Sequence, residues 1–347
     1  MTISRREFLA ATAGIAAASI APFGIANAAV SGIEKKSVKI AVGGRQLIYY
    51  LPLSIADRLG YFKEEGVNVE IVDFQGGSKS LQAVVGGSAD ICSGAFEHTV
   101  VMQTRGQRMQ AFVLQGRAPQ CVFAINHHTM KNFKSLADLK GKKVGVTAPG
   151  SSSQIMATYC LKSAGLKPSD VAFIGIGSSS GAIAAIRSGQ VDAFVQLDPV
   201  IAMLQKNKEI TVAIDTRKIA ESDKLYGGPM VAGCLYAPEA FIKKNPNTIQ
   251  AITNAVVRAN KWIAKATPEE LVKVVPQSYL MGDKALYIQS FINNRPALSK
   301  DGIIPAGAPE TAKKALATVN PQIANARIDM AATFTNRFAE VANKTYR

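Results

Sequence analysis

From residue 38 onward, short β-branched runs alternate with amphipathic stretches of ten or so residues, and Gly or Pro stands at most junctions. The alternation predicts an α/β protein. Strands are expected at 38–42, 67–74, 89–93 and 110–115, with helices at 53–60, 78–85 and 96–104 between them, Ser78 capping the second helix. A second series follows, with strands at 143–147, 171–174, 192–195 and 210–214 and helices near 153–163, 180–187 and 199–205. Past about residue 238 the texture turns to long helices near 247–265, 269–274, 283–292 and 309–317, the first carrying the sole tryptophan, Trp262. That tail is expected to cover the fold and not to form a third sheet.

The two series echo each other. Gln82-Ala83-Val84-Val85-Gly86-Gly87-Ser88-Ala89-Asp90 recurs 102 positions later as Ala184-Ala185-Ile186-Arg187-Ser188-Gly189-Gln190-Val191-Asp192. Helix, glycine, apolar residue, aspartate and strand follow in the same order twice, so two similar units are expected.

Ahead of the fold, Ser4-Arg5-Arg6-Glu7-Phe8-Leu9 begins a basic segment that continues as an uncharged, alanine-rich stretch, and Ala26-Asn27-Ala28 supplies a small-x-small cleavage pattern. An export signal is expected over residues 1–28. The arginine pair followed by Phe8 and Leu9 points to the twin-arginine class, which delivers folded proteins to the bacterial periplasm. Gly14, Pro22, Gly24 and the weak hydrophobicity of alanine argue against a retained membrane anchor, and every later apolar run is too short to span a bilayer.

Composition narrows the function classes. With 347 residues, 48% hydrophobic and 19% charged, the chain is neither disordered nor fibrous and is long enough for about two domains with a cleft between them. The formal charge of +15 reads either as solvating lysines or as steering of an anionic ligand, and no zinc-finger spacing or aromatic-interleaved basic region points to nucleic acid. Cys92, Cys121, Cys160 and Cys234 are widely spaced and read as buried thiols, not a disulfide framework. Of the three histidines, His98, His127 and His128, the last two are neighbours in an extended segment and face opposite sides, so no metal site is expected. Neither a Gly-x-Ser-x-Gly elbow nor a Walker loop is present, and neither an enzyme nor a cofactor is expected.

The run Tyr50-Leu51-Pro52-Leu53-Ser54-Ile55-Ala56-Asp57-Arg58-Leu59-Gly60-Tyr61-Phe62-Lys63-Glu64-Glu65-Gly66-Val67-Asn68-Val69-Glu70 is followed by Gln75-Gly76-Gly77-Ser78 and Gly87-Ser88-Ala89-Asp90. Together with Leu136-Ala137-Asp138-Leu139-Lys140-Gly141-Lys142-Lys143-Val144-Gly145-Val146 and Gly150-Ser151-Ser152-Ser153, these resemble the nitrate/sulfonate/taurine-type substrate-binding proteins of ABC importers. The resemblance covers nearly all of residues 36–320. It implies a type II periplasmic binding protein fold, two α/β lobes joined by hinge strands near 122–126 and 231–237, with a C-terminal helical cover. Lobe I would comprise 29–124 and 235–347, and lobe II 125–234. A monomer is implied, handing its solute to a membrane permease and its cytoplasmic ATPase. A receptor for a sensor kinase or chemoreceptor is the alternative. Enzymes of this fold that make the thiamine pyrimidine carry a cysteine-rich motif that is absent here.

In open α/β sheets ligands sit beyond the carboxyl ends of the strands, where helix N-termini offer free N–H groups. Four loops qualify: Gly76-Gly77-Ser78, Gly94-Ala95-Phe96, Gly150-Ser151-Ser152-Ser153 and Gly177-Ser178-Ser179-Ser180. Their donors suit a sulfonate, nitrate or carboxylate, although each serine could equally cap its own helix. Tyr49, Tyr50 and Phe96 could stack on a ring, which leaves open a neutral pyrimidine- or flavin-like ligand. Arg117, and less so Arg45, could clamp an acid group; Gln196 could hydrogen-bond the solute; Asp198 before Pro199 reads as a helix cap; and Gly228 could line the cleft from the hinge side.

Overall fold

The computed structural model describes residues 30–347, so the export signal expected at 1–28 lies outside the described residues. Ten strands form two five-stranded sheets. In chain order they are β1 (Ser37–Val42), β2 (Asn68–Asp73), β3 (Ile91–Ala95), β4 (Met109–Leu114), β5 (Val122–Asn126), β6 (Lys143–Val146), β7 (Ala172–Gly175), β8 (Ala193–Gln196), β9 (Ile210–Asp215) and β10 (Gly233–Pro238). The first sheet runs β2-β1-β3-β10-β4 and the second β7-β6-β8-β5-β9. Each has three parallel strands, a fourth that enters antiparallel straight from a crossing between the sheets, and an edge strand antiparallel to that fourth. This is the two-lobed α/β type II architecture. The central strands β3 and β8 are buried along their whole length because helices cover both faces of each sheet.

The chain crosses between the sheets through 115–121 and 216–232. β5, from Val122, pairs wholly within the second sheet, and β10, from Gly233, wholly within the first. The expected lobe boundaries at 124/125 and 234/235 therefore fall inside strands, because a strand belongs to one ladder of backbone hydrogen bonds and the chain changes lobe only between ladders. The crossings are stitched to each other: Gln120 N–H donates to Thr216 O at 3.2 Å, and Thr216 N–H to Cys121 O at 2.9 Å.

The sequence echo has a structural cause. Asp90 Oδ2 accepts the Lys39 N–H of β1 at 3.0 Å, and Asp192 Oδ2 accepts the Lys143 N–H of β6 at 2.9 Å. Gly87 and Gly189, at φ 76° and 73°, make the left-handed turn that brings each aspartate back to the neighbouring strand. The same helix–turn–strand unit thus opens the central parallel pair of each lobe.

Within the tail, the helix Pro246–Lys265 buries Ile249, Ile252, Val256, Ala259 and Ile263, spaced alternately three and four apart, against the first lobe. The cover also reaches the second lobe. Lys162 Nζ donates to Thr318 O at 2.5 Å, and Asn294 Nδ2 to Asp198 Oδ2 at 2.6 Å. All four cysteines are buried and free.

Candidate functional site

The carboxyl ends of the parallel strands of both sheets face one cleft, and the loops that leave them meet across it. After β2, Gly76 and Gly77 let the backbone come close to the second lobe: a β-carbon on Gly76 would lie 2.8 Å from Ala148 Cβ. After β1, a β-carbon on Gly44 would lie 2.4 Å from Ser178 Oγ. Asp73 holds this loop by accepting the N–H groups of Gly44 and Arg45 at 2.8 and 2.9 Å. Ser78 N–H donates to Ser151 Oγ at 3.0 Å, Ser78 Oγ donates to Pro149 O at 2.7 Å, and Ile48 N–H donates to Asp198 O at 3.1 Å. The two lobes are bonded directly to each other.

Of the expected serine donors, Ser78, Ser151 and Ser153 are spent on this closure or on their own lobe. Ser78 lies inside the helix Gly77–Val85 instead of capping it, since its hydroxyl reaches the opposite lobe. Ser153 Oγ accepts Thr147 N–H at 3.0 Å. Ser178 is buried against Gly44, while Ser152 and Ser179, half-buried, open the helices Ser152–Ser163 and Ser180–Arg187. Gly94 and Ala95 belong to β3 itself and not to a loop after it, and a β-carbon at Gly94 would stand 3.0 Å from the Tyr236 ring. Phe96 turns away to pack edge-on against Phe334 of the tail, with ring centroids 6.4 Å apart. Gly228 sits against Thr311 of the cover.

The rings that do meet the cleft are Tyr49 and Tyr50, buried in the turn Ile48–Tyr50 and perpendicular to each other at 4.8 Å. Tyr49 lies over Gly233, whose absent side chain makes room for it, and the Tyr50 hydroxyl, His98 Cε1 and Ser151 Oγ all fall within 3.5–3.9 Å of the point where a Gly77 β-carbon would be.

At the strand ends and the crossing stand buried polar groups that the fold leaves unpaired. Gln196 donates from Nε2 to Gly177 O at 2.7 Å, but its Oε1 has no partner. Glu97, which opens the helix after β3, has an unpartnered Oε2, and burial pushes its carboxyl up to about 7. Its neighbour His98 bonds Tyr236 OH through Nδ1 at 2.9 Å and leaves Nε2 free; burial outweighs the nearby Gly150 backbone and lowers the imidazole to about 4. Gln120 is buried with both side-chain polar atoms unpaired. Glu97 and Gln120 were invisible in the sequence pattern; only their lack of partners marks them.

The arginines carried by the strand ends and crossings are engaged elsewhere. Arg45 pairs with Asp57, and Arg117 is exposed with its backbone N–H tied to Ala297 O. Arg217 binds Asp215 and the buried Asp198. Asp198 also accepts Ala202 N–H at 2.9 Å, as a helix cap does. Among the described residues, no group of three His, Cys, Asp or Glu side chains could hold a metal ion.

An NMT1/THI5-like family model matches residues 48–271, which span both crossings and the serine loops of this cleft. The chain belongs to the NMT1/THI5-like family. It is 51% identical to a solved protein from Bordetella bronchiseptica RB50, over 91% of this chain and 99% of that one, with a TM-score of 0.89. The alkanesulfonate-binding protein SsuA from Xanthomonas axonopodis pv. citri, solved bound to MOPS, superposes with a TM-score of 0.68 at 17% identity, over 88% of this chain and 100% of that one, and speaks for the fold. The 4-amino-5-hydroxymethyl-2-methylpyrimidine phosphate synthase THI13 of Saccharomyces cerevisiae is 25% identical over 225 residues, 62% of this chain and 63% of the synthase. The chain is thus similar both to proteins named as enzymes and to proteins named for binding. In this member the four thiols are dispersed and buried, with Cys92 pushed up to about 11 and Cys160 to about 12, which keeps them protonated and unreactive.

Proposed function

We propose that this protein is the periplasmic solute-binding component of an ABC-type importer, and that its solute is a small planar ring bearing N–H and carbonyl or ring-nitrogen groups. The observation that carries the reading is the set of unpaired buried groups at the strand ends and the crossing, Glu97, Gln120 and Gln196, in a protein whose lobes bond directly to one another and bury the ring pair Tyr49 and Tyr50. Buried polar groups without partners are costly in a folded protein, and a binding site is where such a cost is recovered. Permease and ATPase partners follow from this role, and the export signal expected at 1–28 supports the periplasmic address.

An anionic solute, the first expectation from the serine loops, fits less well. Ser78 and Ser151 serve the closure and Ser153 its own lobe, and Arg45, Arg117 and Arg217 are paired or point outward. The buried ionisable carboxyl, Glu97, would repel an anion held in a dry site. Thermal unfolding of the mature protein, stripped of bound solute, against nitrate, alkyl and aryl sulfonates, aromatic carboxylates, pyrimidines and flavins tests this. A ring at about 100 times its dissociation constant adds roughly 2.7 kcal/mol and raises Tm by several degrees. A rise with the anions alone overturns the ring reading.

A further inference from the structure

Gln120 occupies the crossing from β4 to β5 and is 1% exposed, yet neither its Oε1 nor its Nε2 has a partner. Its backbone is held in the left-handed region at φ 56°, uncommon for a residue with a side chain. The amide folds over Gly116, where a β-carbon would stand 2.6 Å from Nε2 and 3.6 Å from Gly233 N. Gly233 is the glycine that Tyr49 overlies, and it pairs with Ala95 at the end of β3, where Phe96 N–H also donates to Ala232 O at 3.1 Å, two residues and one residue before Glu97. Glu97 and Gln120 are therefore carried by the two backbone segments that meet at Gly233, beneath the Tyr49 ring.

The likeness of the two lobes sharpens the contrast. Glu97 follows β3 and Asp198 follows β8, the corresponding central strands, and each stands where the next helix begins. Asp198 is fully engaged, by Arg217, Asn294 and Ala202 N–H. Glu97 Oε2 has no such partner.

We propose that Glu97 and Gln120 together read the polar edge of the solute, selecting one that presents an N–H donor beside an acceptor, as a lactam, carboxamide or amidine edge does. A primary amide can donate and accept at once, and a carboxyl can accept when ionised and donate when protonated, so the pair matches such an edge from two sides. Sites built from buried polar groups discriminate strongly, because an analogue lacking the matching groups leaves them unpaired. This inference rests on the solute-binding reading and names the residues that would give it selectivity.

The test uses Glu97→Gln and Gln120→Leu in the mature protein, with cytosine and nicotinamide as probes that carry the edge and benzoate and methanesulfonate as probes that lack it. Wild type is expected to bind the first two. Each variant is expected to lose about ten- to a hundredfold in affinity for them without a fall in its unliganded Tm, since Gln120→Leu removes an unpaired buried amide and Glu97→Gln removes a carboxyl whose charged form burial disfavours. A fall of several degrees in the unliganded Tm of both variants would mean that the pair serves the fold, and overturns the proposal. Unchanged affinity in both variants overturns this inference alone and leaves the solute-binding reading standing. Wild-type binding of only benzoate or methanesulfonate, or of no probe, removes the ring reading and this inference with it.

Discussion

Glu97 and His98 are adjacent and fully buried, and burial drives their protonation in opposite senses: the carboxyl rises from 4.5 to about 7 and the imidazole falls from 6.5 to about 4. For Glu97 the folded state holds the proton more tightly than the unfolded chain, so its contribution to stability is complete below pH 4.5 and is lost as pH rises through 7. For His98 the folded state resists the proton, so its contribution is complete above pH 6.5 and is lost as pH falls through 4. Between about pH 4.5 and 6.5 the two slopes, each up to about 1.4 kcal/mol per pH unit, oppose each other. The groups facing Glu97 leave this window clear: Tyr49, Tyr226, Cys121 and Cys234 are all raised by burial and stay neutral. Urea unfolding at intervals from pH 4.5 to 7.5 should show Glu97→Gln gaining stability, relative to wild type, as pH rises. His98→Gln should show the reverse trend, whatever its loss of the Tyr236 bond costs in absolute stability. Parallel pH profiles for wild type and both variants would contradict the assignment.

One element, the helix–glycine–aspartate–strand unit, was legible in the sequence twice over, and the structure gives each copy the same task of anchoring the neighbouring strand through Asp90 or Asp192. Asp90 has in addition an ion pair with the exposed Lys35 at 2.6 Å. Exposed pairs of this kind contribute little. Asp90→Ala and Asp192→Ala should therefore cost similar amounts, on the order of 1 kcal/mol and a few degrees of Tm each. A loss at Asp90 more than twice that at Asp192 would show that Lys35 carries a larger share. Strands and helices were readable because burial periodicity and turn glycines are local signals. The site was readable only in part. Loops ending in serine at helix starts are legible in the sequence, but a sequence does not reveal that Ser78 and Ser151 meet each other across 73 residues of chain. Phe96 looked like a free ring because Phe334, its partner, lies in a tail read only as cover. Glu97, opening a helix, reads as an ordinary complement to the helix dipole, and Gln120 carries no local signal at all.

For the whole molecule, closure is a balance between lobes that already hold one another and a solute that must add to that hold. The Ser78–Ser151, Ser78–Pro149, Ile48–Asp198 and Asn294–Asp198 bonds all join the lobes or bring the tail onto the second lobe, and all would break on opening. Opening is permitted because only the segments 115–121 and 216–232 connect the two sheets, while the approach itself depends on the absence of side chains at Gly44 and Gly76. A larger group opposite Gly44 should therefore act as a wedge. Ser178→Leu places a branched chain where Ser178 Oγ already lies only 2.4 Å from the position of a Gly44 β-carbon, and it touches neither sheet ladder. The variant should keep a near-native Tm, because each lobe retains its own core, yet scatter X-rays with a larger radius of gyration than wild type. Its apparent affinity should fall in proportion to the closed fraction, about tenfold if one molecule in ten closes. Identical scattering from the two proteins, with and without solute, would mean that the glycine contacts do not set the closed state.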